Sequence, residues 1–95
     1  MHVISKKKLR EFSAKYPRAK SPLDAWFQIV KNAEWQSFAD VRQAFASADF
    51  VGPFVVFNLG GNKYRLIAAI HFNRGKLFVR HVLTHAEYDE GKWKE

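Results

Sequence analysis

Apolar residues recur at three- and four-residue intervals through the first half of the chain and at alternate positions through the second. That pattern predicts helices first and strands afterwards. His2-Val3-Ile4 reads as a short edge strand. Leu9, Phe12 and Tyr16 then form the buried stripe of a helix from Lys6 to about Tyr16. Ser5 is placed to cap it, and Pro17 stops it by lacking an N–H and restricting the residue before it. Ser21-Pro22-Leu23-Asp24 begins a second helix: serine as cap, proline at the first helical position, aspartate in the positive first turn. Leu23, Trp26, Phe27, Val30 and Ala33 are its apolar face. Ser37-Phe38-Ala39-Asp40 repeats the signal for a shorter helix carrying Val41, Ala44, Phe45 and Ala48, and Gly52-Pro53 closes the helical half.

From Phe54 the period becomes two. Phe54 to Leu59 is one strand, Lys63 to Phe72 the next and Lys76 to Leu83 the third. Gly60-Gly61 reads as a two-residue hairpin turn, because both positions can take positive φ; it would pair Asn58 with Lys63 and Val56 with Arg65. A two-residue turn at Arg74-Gly75 would pair Asn73 with Lys76 and put Arg65 and Arg80 on one face, opposite Leu66 and Val79. A three-residue turn would put the arginines on opposite faces, since a one-residue slip inverts a strand. In the first register, Leu77, Val79, His81 and Leu83 share the apolar face and Val82 lies opposite them. Thr84 caps a last short turn, with Glu87 at capping-box spacing. The fold class is α+β: N-terminal helices packed on one face of a small, mainly antiparallel sheet, with residues 1–95 as one domain.

Charge narrows the partner. The chain carries +7, with 16 basic and 9 acidic side chains, and the excess lies at the two ends. A basic balance of this kind suits nucleic acid or an acidic protein surface, though solvated lysines alone would also give it. The absence of cysteine rules out thiolate catalysis, disulfides and cysteine zinc sites, and fits a reducing cytoplasm. No stretch is long and apolar enough to span a membrane.

The candidate chemistry gathers at the end of the sheet. Arg65 and Arg80 suit a phosphate clamp, because guanidinium is always charged and forked; a salt-bridge role would suit them as well. Asn58 and Lys63 share their sheet face. His85 and Tyr88, three residues apart, would lie on one side of a helical turn, and histidine can move protons near neutral pH. The same segment could also be no more than a capped turn. Lys6, Lys7, Lys8 and Arg10 form a basic helix surface for RNA, or for an acidic protein. His71 and His81 read as structural, and Trp26, Trp35 and Trp93 as packing residues. The spacing of the four histidines suggests no metal site.

The run Val56-Phe57-Asn58-Leu59-Gly60-Gly61-Asn62-Lys63-Tyr64-Arg65-Leu66, followed by Arg80 and Thr84-His85-Ala86-Glu87-Tyr88-Asp89, resembles the HigB family of bacterial toxins, within the wider RelE-like messenger-RNA interferases. The resemblance extends over the chain, including His2-Val3-Ile4-Ser5 and the Tyr16-Pro17 helix end. It implies two N-terminal helices on a mainly antiparallel sheet. It further implies ribonuclease activity on messenger RNA, commonly on translating ribosomes, with neutralisation by a HigA-type helix-turn-helix antitoxin. The family's strand arginines match Arg65 and Arg80, and its C-terminal catalytic segment matches His85 and Tyr88. No metal or cofactor is called for. A non-catalytic RNA- or ribosome-binding module is the competing reading of the same surface.

Overall fold

The computed structural model describes residues 1–94. In chain order the elements are β1 (His2–Ile4), α1 (Lys6–Lys15), α2 (Lys20–Lys31), α3 (Phe38–Ala44), β2 (Asp49–Val51), β3 (Phe54–Leu59), β4 (Tyr64–His71), β5 (Lys76–Thr84) and α4 (His85–Glu90). The strands form one sheet in the order β1-β5-β4-β3-β2. β1 runs parallel to β5 and every other pair is antiparallel. The molecule is thus α+β, with its first three helices preceding the main sheet, as the periodicities predict.

One sheet face carries the larger core. Leu9 and Phe12 of α1, and Leu23, Trp26 and Val30 of α2, pack on Val55, Phe57, Leu66, Ala68, Leu77 and Val79. Trp26 and Phe45 meet the Phe57 ring edge-on, Trp35 stacks on it, and Trp35 and Phe45 meet each other edge-on. Burying each such aliphatic side chain contributes roughly 1.5–3 kcal/mol. The opposite face holds a smaller cluster of Val56, Ile67 and Trp93, with Phe54, Leu83 and Tyr88 at its margin. All three tryptophans are buried, as packing residues should be.

Several local expectations are corrected. Ser5 takes a left-handed conformation (φ 79°) and its side chain makes no cap bond, so α1 starts without one. Pro17 does end α1, but its ring opens a 3-10 turn, Pro17–Ala19, that runs directly into α2. Ser21 therefore lies inside the first turn rather than capping it, and Pro22 is tolerated because N–H groups of a first turn have no helical partner. Ser37 makes no cap bond either; Asp40 accepts from the Gln36 backbone N–H instead. Ala48 is buried beyond the end of α3. Three helices precede the main sheet, as the periodicities predict and one more than the family resemblance implies, and β2 pairs with β3 across Gly52-Pro53 where no strand is expected.

Both hairpin registers differ from two-residue turns. Leu59 pairs with Tyr64 and Asn58 with Arg65, so residues 60–63 form a four-residue loop. Gly60, Gly61 and Asn62 all hold positive φ there. His71 pairs with Lys76 around a 3-10 turn at Phe72–Arg74, closed by left-handed Gly75. Each slip is by two residues, which preserves the face of every side chain. A further irregularity does not. Ala68 pairs with Val79 and Ile67 with His81, which leaves Arg80 as the extra residue of a β-bulge. Parity inverts beyond it: Val82 joins the helical core, and Leu83 moves to the smaller cluster.

Candidate functional site

The smaller face is built around α4. Thr84 accepts from the Glu87 backbone N–H while the Glu87 carboxylate accepts from the Thr84 N–H, a complete capping box. The His85 backbone N–H donates to the Lys63 carbonyl at 2.9 Å, tying α4 to the β3–β4 loop. Trp93 fixes the other end: its indole N–H donates to the Tyr88 carbonyl, and its ring stacks on Tyr88 at 5.3 Å.

Arg65 is the only buried charged residue described, at 9% exposure. Its Nη1 donates to the carbonyls of Asn62 and Tyr64, and its Nη2 lies 3.0 Å from His85 Nδ1. Its guanidinium lies 5.4 Å from the centre of the Tyr88 ring. His85 Nε2 is 2.9 Å from Asp89 Oδ2. Guanidinium can only donate, so His85 Nδ1 is the acceptor and the proton of neutral His85 sits on Nε2, aimed at Asp89. Arg65, His85 and Asp89 thus form a hydrogen-bonded row, with Tyr88 beneath the guanidinium. Asp89 is the member of this row that the sequence motifs leave unassigned. Its four-residue spacing from His85 was the signal, since such residues are neighbours on a helix.

Arg80 shares this face but not this row. The bulge aims its guanidinium at the Phe54 ring, 5.6 Å from the centroid. Trp93 stands between, with Phe54 on one side at 6.4 Å and Tyr88 on the other. The two arginines therefore flank an aromatic row instead of meeting at one point. Lys63 is exposed beside α4. Asn58 uses its amide to donate to the Ser47 carbonyl, so it ties down the connection before β2. On α1, Lys6 and Arg10 face the groove against α2, away from the row, with Lys6 over the Phe27 ring. Lys7 is exposed. Lys8 instead reaches β5 and donates to the Arg80 carbonyl at 2.8 Å.

His81 is half-buried next to the bulge. Burial, and then the positive charges of Lys8 and Arg80, hold its pKa below the ordinary 6.5. Among the described residues, no group of three histidine, aspartate or glutamate side chains is placed to hold a metal ion, and no helix is long and apolar enough to cross a membrane.

Residues 19–91 match the family model described as HigB_toxin, the RelE-like toxic component of a toxin-antitoxin system. The chain belongs to the HigB toxin family. It is 34% identical over 93 residues to the mRNA interferase HigB of Escherichia coli, an alignment spanning 95% of this chain and 90% of the relative. It is equally identical, over 92 residues, to the mRNA interferase HigB of Shigella flexneri, covering 94% of this chain and 88% of that one. As a HigB-family chain it is the toxic half of a pair, and an antitoxin is its partner. The matched span contains every residue of the Arg65–His85–Asp89 row, together with Tyr88 and Arg80.

Proposed function

We propose that this HigB-family toxin is an endoribonuclease that cleaves messenger RNA without a metal ion, engages it on the ribosome, and is neutralised by a HigA-type helix-turn-helix antitoxin. The names of its relatives support RNA cleavage. The hydrogen-bonded row of Arg65, His85 and Asp89 carries the mechanism.

In that mechanism a ribose 2′-hydroxyl attacks the adjacent phosphorus and the P–O5′ bond breaks, giving a 2′,3′-cyclic phosphate and a 5′-hydroxyl. A phosphate bound at Arg65 competes for the Nη2–H that His85 otherwise accepts. Turning Nη2 onto a phosphoryl oxygen opens Nδ1 as the base for the 2′-hydroxyl proton. The resulting imidazolium keeps Asp89 on its other nitrogen, and the carboxylate steadies its charge. Protonated His85 no longer accepts from Arg65, so proton transfer and charge stabilisation reinforce each other. Tyr88, whose ring lies under the Arg65 guanidinium, gives its proton to the leaving 5′ oxygen. Lys63, at the loop bonded to His85, adds positive charge beside the phosphate. A proton passed from His85 to Tyr88 resets the site.

The test is single-turnover cleavage of a short RNA, on ribosomes and free, with products analysed for cyclic phosphate ends. Cyclic ends that disappear in His85→Ala support the mechanism. Intact RNA with translation blocked would favour the binding-module reading.

A further inference from the structure

The bulge at Arg80 opens a recess between α1 and β5 of about 370 Å³, lined by Lys8, Lys15, Tyr16, Arg80 and His81, with Glu11 and Glu87 in its wall. Its cations are oriented unusually. Glu11 lies three residues from Lys8 and four from Lys15, spacings at which helical ion pairs commonly form. Neither forms here. Lys8 turns across to the Arg80 carbonyl, and Lys15 lies over the Tyr16 ring at 5.5 Å. Glu87 is committed to the α4 cap. Among the described residues, no carboxylate lies within ion-pair distance of Lys8, Lys15 or Arg80. Lys8, Lys15 and Arg80 thus line one concavity with no carboxylate paired to them, although the Arg80 guanidinium itself rests over the Phe54 ring, and a bulge is a common device for re-aiming a side chain beside a functional site.

The recess adjoins the catalytic face without being part of it. Phe54 and Trp93 separate Arg80 from Arg65. One phosphate held at Arg65 and His85 is therefore not the anion that Arg80 meets. We propose that Lys8 and Lys15, with the Arg80 guanidinium drawn in from its place over Phe54, hold a second, non-scissile phosphate of the same RNA strand, one or more nucleotides from the cleaved bond, so that Arg80 is a substrate-binding residue and not a catalytic one. The inference rests on the ribonuclease reading for its ligand. Half-buried His81, kept neutral by its surroundings, offers one donor and one acceptor, suited to a ribose or base edge rather than to a second charge.

The experiment measures affinity against salt for two uncleavable probes, with 2′-deoxyribose at the cleavage position: a dinucleotide with one phosphodiester, and a hexanucleotide. Variants are Lys8→Gln with Lys15→Gln, which keep side-chain donors but remove charge, and Lys8→Arg with Lys15→Arg, which restores it. A thermal melt confirms folding of each. For the hexanucleotide, the glutamine variant is expected to lower the log–log salt slope by roughly 0.7, the loss of one single-strand phosphate contact. The arginine variant should recover it, and the dinucleotide should bind parent and variants alike. Equal losses on both probes would place these lysines at the scissile phosphate and overturn the proposal. An unchanged hexanucleotide slope would also overturn it, leaving the recess to an acidic protein partner. If the parent binds the hexanucleotide as described but cleaves no RNA, the ribonuclease reading fails while the second phosphate site stands.

Discussion

At the scale of single residues, His85 is the side chain whose two nitrogens are both assigned, one accepting from Arg65 and the other donating to Asp89. Replacing it with alanine should slow single-turnover cleavage by roughly 10²–10⁴, the usual contribution of a general acid–base group, with RNA affinity little changed. Tyr88→Phe keeps the ring between Arg65 and Trp93 and removes only the hydroxyl, so it should show a loss of similar order and no loss of stability. Asp89→Asn should lower the rate per folded molecule, because His85 loses the carboxylate that accepts from its Nε2–H; a merely structural Asp89 would change the melting temperature and leave that rate in place. His81 makes a separate prediction about stability. Its folded pKa lies below 6.5. As pH falls through 6.5, the unfolded chain takes up a proton that the folded chain resists. Stability should therefore decline on acidification until the folded pKa is passed and then level off. Lys8 and Arg80 oppose the charged form, and Glu87 lines the same recess. Melts against pH check this, and His81→Gln should flatten the slope.

At the scale of elements, α4 has only six residues and depends on its cap. Thr84→Ala should cost about 1 kcal/mol of stability. Cleavage per folded molecule should fall too, because the same turn carries His85, Tyr88 and Asp89; a melt paired with a rate measurement separates the two. The Gly60 turn gives a second comparison. A Cβ at Gly60 would meet the Tyr64 ring at 2.9 Å, whereas one at Gly61 meets nothing within 4 Å, although both hold positive φ. Gly60→Ala should therefore lower the melting temperature more than Gly61→Ala. Much at this scale was readable in the sequence: the helix stripes, the Pro17 stop, the capping box, and the face shared by Arg65 and Arg80. The loop lengths were not, because Gly60-Gly61 fits a two-residue or a four-residue turn equally well, and either keeps the faces. β2 was hidden because it is three residues long and mostly exposed. The bulge was hidden because Val82 and Leu83 are both apolar and report no change of parity. The reach of Lys8 to Arg80 spans 72 positions, a pairing that no local pattern records.

At the scale of the whole molecule, the charge of +7 is spread over both sides of the sheet, with Arg65 and Arg80 on the smaller face and Lys6 and Arg10 at the groove between α1 and α2. The larger face is occupied by α1 and α2 and serves stability. Binding of RNA should weaken steeply with salt, since each lysine or arginine contact releases counterions, and an affinity flat from low to physiological salt would argue against a phosphate-dominated surface. The most direct measurement is single-turnover cleavage of one short RNA by the parent and by His85→Ala, on ribosomes and free, with folded protein quantified by its melt and RNA affinity measured in parallel. A rate lower by roughly 10²–10⁴ at unchanged affinity is the expected result. Equal rates per folded molecule would contradict it and remove His85 from the chemistry.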